Sequence, residues 1–188
     1  MATPVAVVLL AEGFEDIEAI TVIDILRRGG VNAVTVSIDE KLEVNSAHNI
    51  IMRADRCLSD LVGHVWDAII LPGGMPGTTN LANSPLVADV LKLHADQGRL
   101  ICAICAAPTV LVSAGVLPPQ VHVTCYPSCA KDLDRRSANV PVVADGNFIT
   151  GQAPGSAMLF GLVVLQTLMG EEVALSVAKS MVTKVLEF

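Results

Sequence analysis

The sequence predicts an α/β fold in which a mostly parallel sheet carries helices on both faces. Hydrophobic residues make up 52% of the 188 residues, although there are only one Trp, one Tyr and four Phe. Such a core is aliphatic, as in a parallel sheet that is buried on both sides. Apolar runs of strand length also alternate with longer segments of helical periodicity, which is typical of βαβ units. No repeat, low-complexity tract or linker interrupts the pattern, so we expect residues 1–188 to form a single domain.

The N-terminal part opens with one βαβ unit and a hairpin. The apolar run Val5–Leu10 is the first predicted strand, and Asp16–Arg28 follows as a helix that a Gly-Gly pair ends. Val31–Ile38 is the next predicted strand. Two short β-like runs within Leu42–Met52 predict a hairpin or an excursion at the edge of the sheet.

The middle of the chain contains a glycine-rich loop between a strand and a helix. Asp67–Leu71 is predicted as a buried strand that ends in the loop Pro72–Gly77. Ser84 and Pro85 have the residue types of an N-cap and a first-turn proline, so we expect a helix from there to about residue 97.

The C-terminal half begins with a strand that runs directly into a helix. Leu100–Ile104 is the predicted strand and Ala106–Ser113 the predicted helix, with Cys105 between them. Three short strands, of which the last two form a hairpin, and two closing helices follow: Val121–Thr124, Val140–Ala144, Asn147–Thr150, Ser156–Met169 and Glu171–Val182.

Composition excludes several classes of function. The net charge is −7 and the twelve Lys and Arg residues are scattered, which argues against binding to nucleic acid or to an anionic membrane. The chain opens without a signal peptide or a long apolar run, so we expect a soluble, cytoplasmic protein. An odd number of cysteines, five, then indicates reduced thiols instead of a disulfide framework.

Two cysteine spacings raise the alternative of a zinc site. Cys102 and Cys105 form a C-x-x-C pair, and Cys125 and Cys129 form a C-x-x-x-C pair. In a strand over residues 100–104, however, alternation directs Cys102 away from the turn at Cys105, which also argues against a redox C-x-x-C. We therefore assign no metal ligands, and interpret Cys57 and Cys102 as small buried hydrophobic residues.

Cys105 is the candidate nucleophile. A thiol at a strand-to-helix junction occupies the place of a nucleophile elbow, where a strained turn presents the side chain. Backbone N–H groups and the helix dipole at that position favour the thiolate. Two other predicted strands end before residue 11 and before Pro72. The loops that follow them leave the same edge of the sheet as Cys105, where ligands bind in this class of fold.

Glu18 is the candidate partner of this thiol. On a helical wheel it lies between Val22 and Ile25, within the apolar sector of its helix. A carboxyl that points towards a core needs a partner, or it takes up a proton because burial raises its pKa. Protonated Glu18 would donate a hydrogen bond to a thiolate and exchange a proton during a reaction. We interpret the neighbouring acids Glu12, Glu15 and Asp16 as residues near a helix start that complement the helix dipole.

The glycine-rich loop has its own candidate role. Glycine allows close approach of the backbone, so the N–H groups of Gly74 and Ala106 could point at one oxygen as an oxyanion hole. The loop lacks the spacing of a phosphate-binding loop, and no G-x-G-x-x-G follows the first strand, so nucleotide binding is disfavoured.

Four segments together carry a family resemblance: Leu10–Glu18, Ile70–Gly74, Ala103–Pro108 and Pro154–Ser156. In this order and at these separations they resemble the signature blocks of the DJ-1/ThiJ/PfpI superfamily, in its DJ-1/ThiJ (YajL-like) branch. The resemblance covers nearly the whole chain. It implies a flavodoxin-like α/β sandwich, usually a homodimer, that needs no cofactor.

The resemblance also implies roles for site residues. Cys105 would be the oxidation-sensitive nucleophile and Glu18 its protonated partner, while Gly74 and Ala106 would supply backbone amides. Gly73 would line the pocket. The histidine that follows the cysteine in PfpI-type proteases is replaced here by Ala106, so a Cys-His protease mechanism is not expected.

One position departs from the DJ-1 pattern. Tyr126 stands where DJ-1 has a histidine, and it would orient a substrate carbonyl, cap the pocket or have no chemical role. Of the four histidines, His64 and His94 fall in segments that we expect at the surface, and His122 lies four positions before Tyr126. His48, in the predicted hairpin, would reach a site only across a dimer interface.

Two functions follow from the resemblance. The first is a glyoxalase III-type or deglycase-type enzyme that acts on methylglyoxal or glyoxal through Cys105 with Glu18 as proton shuttle. The second is a redox-responsive stress protein or chaperone in which Cys105 is oxidised to the sulfinate. Cys125, beside Tyr126, is a further candidate as a resolving thiol.

Overall fold

A seven-stranded, mostly parallel sheet forms the centre of the computed structural model, which describes residues 2–136 and 138–183. Nine strands are described: β1 Val5–Leu10, β2 Asn32–Ser37, β3 Glu43–Asn45, β4 Ile51–Arg53, β5 Arg56–Cys57, β6 Ala68–Leu71, β7 Leu100–Ile104, β8 Val142–Asp145 and β9 Phe148–Gly151. Six α-helices are described: α1 Asp16–Arg28, α2 Gly77–Asn83, α3 Pro85–Asp96, α4 Pro108–Ser113, α5 Ala157–Met169 and α6 Glu171–Ser180. The predicted α/β class is confirmed.

The strand order places the loops that follow several strands side by side. The order is β5-β2-β1-β6-β7-β9-β8, and only β8 runs antiparallel to its neighbour. β1, β6, β7 and β9 are therefore parallel neighbours, and the segments after Leu10, Leu71, Ile104 and Gly151 leave the same edge of the sheet. In an open α/β sheet this carboxyl edge is where ligands bind.

Alternation along the central strands builds a separate core on each face. In β7, for example, Cys102 and Ile104 pack into the core beneath α1, α5 and α6, whereas Ile101 and Ala103 pack into the core beneath α2, α3 and α4. All four of these residues are fully buried. Burial on both faces explains why the strands read as continuous apolar runs.

Helix α1 carries the candidate carboxyl into the first of these cores. Its buried face includes Ala19, Val22, Ile25 and Leu26, which contact the layer formed by α5. The close approach of the two helices requires a glycine in α5, because a Cβ at Gly161 would lie 2.8 Å from Ile25 Cδ1. The helix has the predicted bounds.

The structure corrects the prediction of a strand over Val121–Thr124. The backbone N–H of His122 donates to the Asp145 carboxylate at 2.8 Å, and that of Thr124 donates to Thr150 Oγ1 at 2.9 Å. These amides are bound by side chains, so the segment does not join the sheet. The predicted hairpins over residues 42–52 and 140–150 are both present.

Two further differences concern helices. The helix predicted over residues 106–113 begins at Pro108, because Cys105, Ala106 and Ala107 form a turn that is closed by the Ala107 N–H donating to the Ile104 carbonyl. Helix α2 was missed, since Gly, Thr and Asn have low helix propensity and Leu81 is its one large apolar side chain.

His94 is buried, so its predicted place at the surface was wrong. Its Nε2 accepts a hydrogen bond from the Trp66 N–H at 3.1 Å, and its Nδ1 lies 2.8 Å from the Val90 carbonyl oxygen. Burial lowers the pKa of this imidazole, which is held neutral by one donor and one acceptor contact. Within the described ranges, no helix is long and apolar enough to cross a membrane.

Candidate active site

Cys105 follows β7 directly and has a left-handed backbone, with φ at 64°. Residues other than glycine rarely adopt this conformation, because Cβ crowds the backbone. Hydrogen bonds hold it in place: the Cys105 N–H donates to the Gly151 carbonyl at 2.9 Å, and the Tyr126 N–H donates to the Cys105 carbonyl at 2.7 Å. The thiol thus sits on a strained turn between two neighbouring segments, and 9% of the residue is exposed.

Glu18 is fully buried beside this thiol. Its Oε2 accepts a hydrogen bond from the Gly73 N–H at 2.7 Å. The carboxyl also interacts with the Cys105 side chain, while Oε1 is buried without a partner that meets full hydrogen-bond geometry among the described residues. The structure therefore places together the carboxyl and the thiol that the sequence singled out.

Burial raises the pKa of Glu18 to about 7. Hydrogen bonds from Gly73 and Cys105 act in the opposite direction, and the nearby Glu15 carboxylate adds to the rise. A carboxyl with this pKa exchanges protons near neutral pH, as a general acid or base must.

The pKa of the Cys105 thiol is raised by burial and by the negative charge of Glu18. The backbone N–H groups of Ala106 and Gly74 contact the sulfur and lower its pKa. No cationic side chain of the described residues contributes. The expected help from a helix dipole is weaker than predicted, because α4 has six residues and begins three positions after Cys105. The thiolate is therefore favoured when Glu18 holds the proton, since the opposing charge is then absent.

Two glycines make this close arrangement possible. A Cβ at Gly73 would lie 2.8 Å from Cys105 Cβ and 2.8 Å from Glu18 Oε2, so any side chain there would separate the pair. Gly74 has φ at +92°, and its Cβ would lie 2.5 Å from the Glu15 backbone nitrogen. Both positions must be glycine for the loop to pass between α1 and Cys105.

Glu15 has a positioning role that the sequence interpretation missed. It is the N-cap of α1, and its Oε2 accepts a hydrogen bond from the Glu18 N–H at 2.8 Å. An acidic residue three positions before Glu18 is the spacing of an N-cap and N3 pair, which was the available signal. Glu15 thereby fixes the turn from which Glu18 projects.

The segment Pro154–Ser156 supports the other side of the site. Ser156 Oγ accepts hydrogen bonds from the N–H groups of Gln152 and Ala153, both at 3.1 Å. These contacts hold the chain immediately after Gly151, whose carbonyl receives the Cys105 N–H.

Tyr126 lies next to Cys105, whereas His48 contacts a different residue, Asp16. Tyr126 contacts Cys105 through its backbone, and the residue is 44% exposed, so a role for its hydroxyl stays a prediction. His48 is not among the groups that shift the pKa of Cys105 or Glu18, and its Nδ1 lies 2.5 Å from Asp16 Oδ2. A contribution of His48 across a dimer interface also stays a prediction.

The cysteine pairs considered for zinc are not brought together. In the described part of the chain, the group of His, Cys, Asp and Glu side chains close enough to share one ion is Glu15, Asp16 and His48. Cys102 is fully buried, and burial raises the pKa of its thiol. Cys125 packs into the opposite core from Cys105, which does not favour it as a resolving thiol.

Comparisons with known proteins give matches along most of the chain. The profile of the DJ-1/PfpI family matches residues 5–167. Protein dj-1beta of Drosophila melanogaster is 36% identical over 179 residues, covering 94% of this chain and 95% of the relative. Caenorhabditis elegans has a relative named glutathione-independent glyoxalase DJR-1.2, which is 34% identical over 176 residues and covers 92% of each chain.

Two further matches concern length and structure. Protein DJ-1 homolog B of Arabidopsis thaliana is 34% identical over 97% of this chain, which spans 42% of that longer protein. A solved structure of oxidized Toxoplasma gondii DJ-1 superposes with a TM-score of 0.94 at 30% identity, covering 97% of this chain and 100% of that chain. This match confirms the flavodoxin-like sandwich.

The tight packing at Gly73 generates a prediction. Gly73→Ala should lower the free energy of unfolding by about 1–3 kcal/mol, because the new methyl group forces Cys105 and Glu18 apart. Urea-induced unfolding measures this change. Gly155→Ala is the matched control, since a Cβ at Gly155 meets nothing within 4 Å and its φ is not positive. Equal stability of the two variants would contradict the described packing.

Proposed function

The chain belongs to the DJ-1/PfpI family, and on that premise we propose that it is a glyoxalase that needs neither glutathione nor a cofactor. Its substrates would be small 2-oxoaldehydes: methylglyoxal would give lactate, and glyoxal would give glycolate. The contact between the Glu18 carboxyl and the Cys105 thiol carries this proposal. The name of the Caenorhabditis elegans relative supports the substrate class.

The reaction would begin with nucleophilic addition. The Cys105 thiolate attacks the aldehyde carbon, a C–S bond forms, and the carbonyl electron pair moves to oxygen. The N–H groups of Gly74 and Ala106, which contact the sulfur, would donate to this alkoxide. Protonated Glu18 then transfers its proton to the alkoxide and leaves a neutral hemithioacetal.

Glu18 would next move a proton between the two carbons. Its carboxylate removes the proton from the former aldehyde carbon and returns it to the neighbouring carbon, while the hydroxyl proton passes from the first oxygen to the second. The product is a thioester of Cys105 with the 2-hydroxy acid. Deglycation of early adducts would use the same thiol and carboxyl.

Hydrolysis would complete the cycle. Water attacks the thioester carbonyl, the C–S bond breaks, and the hydroxy acid leaves as its anion. The two protons of the water end on the sulfur and on Glu18, and the thiol loses its proton to solvent before the next turnover. A Glu18 pKa of about 7 suits each of these transfers at neutral pH.

A second function, as a peroxide-responsive stress protein or chaperone, is favoured by the similarity to an oxidized relative. The Cys105 thiolate would attack one oxygen of hydrogen peroxide, giving the sulfenate and water, and a second peroxide would give the sulfinate. Protonated Glu18 would donate a hydrogen bond to a sulfinate oxygen. The same pair of groups therefore suits oxidation.

We also propose a homodimer that forms through an apolar surface on α1 and the β3–β4 hairpin. This surface consists of Ile17, Ile20, Ile50 and Ile51, which are 54%, 46%, 51% and 70% exposed. The two elements are joined through the segment before α1, where the Gly13 N–H donates to the Asn45 carbonyl at 2.8 Å. Four exposed isoleucines on these two linked elements suit burial against a second copy of the chain.

The number of cysteines, five, is odd, which argues against a framework of disulfides and suits a reducing compartment. We therefore retain the cytoplasm as the proposed location.

Steady-state turnover of methylglyoxal, with lactate detected by NMR, tests the enzymatic proposal. Cys105→Ser and Glu18→Ala should each lower kcat/KM by about 100-fold or more, because one removes the nucleophile and the other the proton carrier. Cys57→Ser, at the edge of the sheet, is the matched thiol control and should retain the wild-type rate. A full rate in Cys105→Ser would refute the mechanism.

Intact-mass analysis after mild peroxide treatment tests the redox proposal. The wild-type chain should gain two oxygen atoms, and peptide mapping should place them on Cys105. Cys105→Ala should gain none under the same conditions, because Cys105 is the cysteine that contacts the Glu18 carboxyl and two amide donors. Unmodified Cys105 in the wild type would count against this function.

Sedimentation velocity tests the homodimer. The double substitution of Ile20 and Ile51 by Glu should convert a dimer into a monomer, because four carboxylates would be buried at the interface. Val62→Glu is the control, since Val62 is 62% exposed outside this surface. A wild-type monomer, or a dimer that survives the double substitution, would rule out this interface.

A further inference from the structure

Glu15, Asp16 and His48 form a compact cluster at the start of α1. One ligand atom from each side chain lies within 4.8 Å of those of the other two. Glu15 and Asp16 are 8% and 7% exposed, whereas the His48 side chain is 68% exposed. The cluster is thus a buried pair of carboxylates with an imidazole on its open side.

The negative charge of this cluster lacks a permanent cationic partner. Other acids of the protein have one: Lys41 Nζ lies 2.7 Å from Glu12 Oε1, and Arg27 Nη2 lies 3.2 Å from Asp55 Oδ2. Within the described ranges, by contrast, neither Glu15 nor Asp16 pairs with a lysine or an arginine. Buried carboxylates are ordinarily paired or bound to a metal.

Asp16 supplies an independent indication of a missing ligand. Its side chain is nine-tenths buried, with 10% exposed. Oδ2 contacts His48, but Oδ1 is buried and has no partner that meets hydrogen-bond geometry in the part of the chain that the structure describes. The Ser46 hydroxyl lies beside this carboxylate and helps to lower its pKa, and the Ser46 oxygen accepts hydrogen bonds from the N–H groups of His48 and Ile50, at 3.3 and 3.0 Å.

These observations together define a ligand set. Glu15 uses Oε2 to cap α1, which leaves Oε1 available, and Asp16 has an unpartnered oxygen. One imidazole nitrogen and two carboxylates suit divalent ions such as Mn²⁺ and Zn²⁺. We propose that Glu15, Asp16 and His48 bind one divalent metal ion of this class, at a site distinct from the Cys105 thiol.

The architecture allows such an ion to enter and to be held. His48 lies in the exposed loop between β3 and β4, and the Ala47 N–H ties this loop to the Phe14 carbonyl at 2.8 Å. Binding would replace the direct contact between His48 and Asp16, whose atoms would move to the roughly 3 Å that separates neighbouring ligands of one ion. The ion would then link the hairpin to the first turn of α1.

Mn²⁺ is the probe of choice for testing this site, because it prefers oxygen and imidazole ligands and binds thiols weakly. Loss of the EPR signal of free Mn²⁺ on titration with the full-length protein, at about pH 8, measures binding without competition from imidazole protonation. We expect saturable binding of one ion per chain. His48→Ala and Asp16→Asn should each weaken it about tenfold or more.

His122→Ala is the matched control. His122 Nδ1 lies 3.1 Å from Asp145 Oδ2, so this residue is also an exposed histidine beside an aspartate, but it belongs to no three-ligand cluster. Its substitution should leave Mn²⁺ binding unchanged. Bound Mn²⁺ should also broaden the imidazole NMR signals of His48 and spare those of His122.

Three results would overturn the proposal: no saturable Mn²⁺ binding by the wild type, equal affinity in His48→Ala and the wild type, or equal losses in His48→Ala and His122→Ala. The experiment reads metal binding and not turnover. Its outcome is therefore independent of the proposed glyoxalase activity.

Discussion

The candidate site depends on a close backbone contact between the loop after β1 and the loop after β6. The Glu15 N–H donates to the Gly73 carbonyl at 2.9 Å, and the Gly77 N–H donates to the Gly13 carbonyl at 3.2 Å. The approach tolerates no side chain, because a Cβ at Gly13 would lie 2.4 Å from Pro76 Cδ. This contact sets the start of α1 against the end of β6, and a carboxyl three residues further on then reaches the thiol after β7.

The consequence is a thiol and a carboxyl that share protons as a unit. The sulfur has two amide donors, from Gly74 and Ala106, and the carboxyl has one, from Gly73. The doubly ionised state places two negative charges together in a buried site, whereas the doubly protonated state leaves the amide donors without an anion. The states with one proton avoid both costs. Proton transfer near neutral pH is therefore available without a histidine, and Tyr126 does not have to replace one.

Local patterns predicted the elements whose structure is set by their own residues. The bounds of β1, α1 and β7 agree with the sequence, because alternation and helical periodicity record which face is buried. The inward position of Glu18 follows from the same periodicity. The predictions were wrong where hydrogen bonds to residues distant in the sequence determine the structure. Nothing local to residues 121–124 reveals that side chains of Asp145 and Thr150 bind its amides.

Partner groups also explain the other features that the sequence left open. The burial of His94 depends on the Trp66 N–H, which is 28 residues away in sequence. Helix α4 starts later than predicted because a turn follows Cys105. Hydrogen bonds to the backbones of Gly151 and Tyr126 hold Cys105 itself in a left-handed conformation. Sequence therefore singled out the thiol and the carboxyl that the structure brings together, while the shifts in their pKa values depend on the packing around them.

The first turn of α1 contains two carboxyl groups whose pKa values depend on their partners. Asp16 and Glu18 are both buried, and burial alone would raise the pKa of each. Glu18 faces a thiol and an amide, and its pKa rises to about 7. Asp16 faces the Ser46 hydroxyl and the His48 imidazole, whose hydrogen bonds outweigh burial and lower its pKa. These two carboxyl groups thus have opposite shifts: the pKa of Glu18 rises towards neutrality beside the thiol, whereas the pKa of Asp16 falls, which keeps its buried carboxylate ionised.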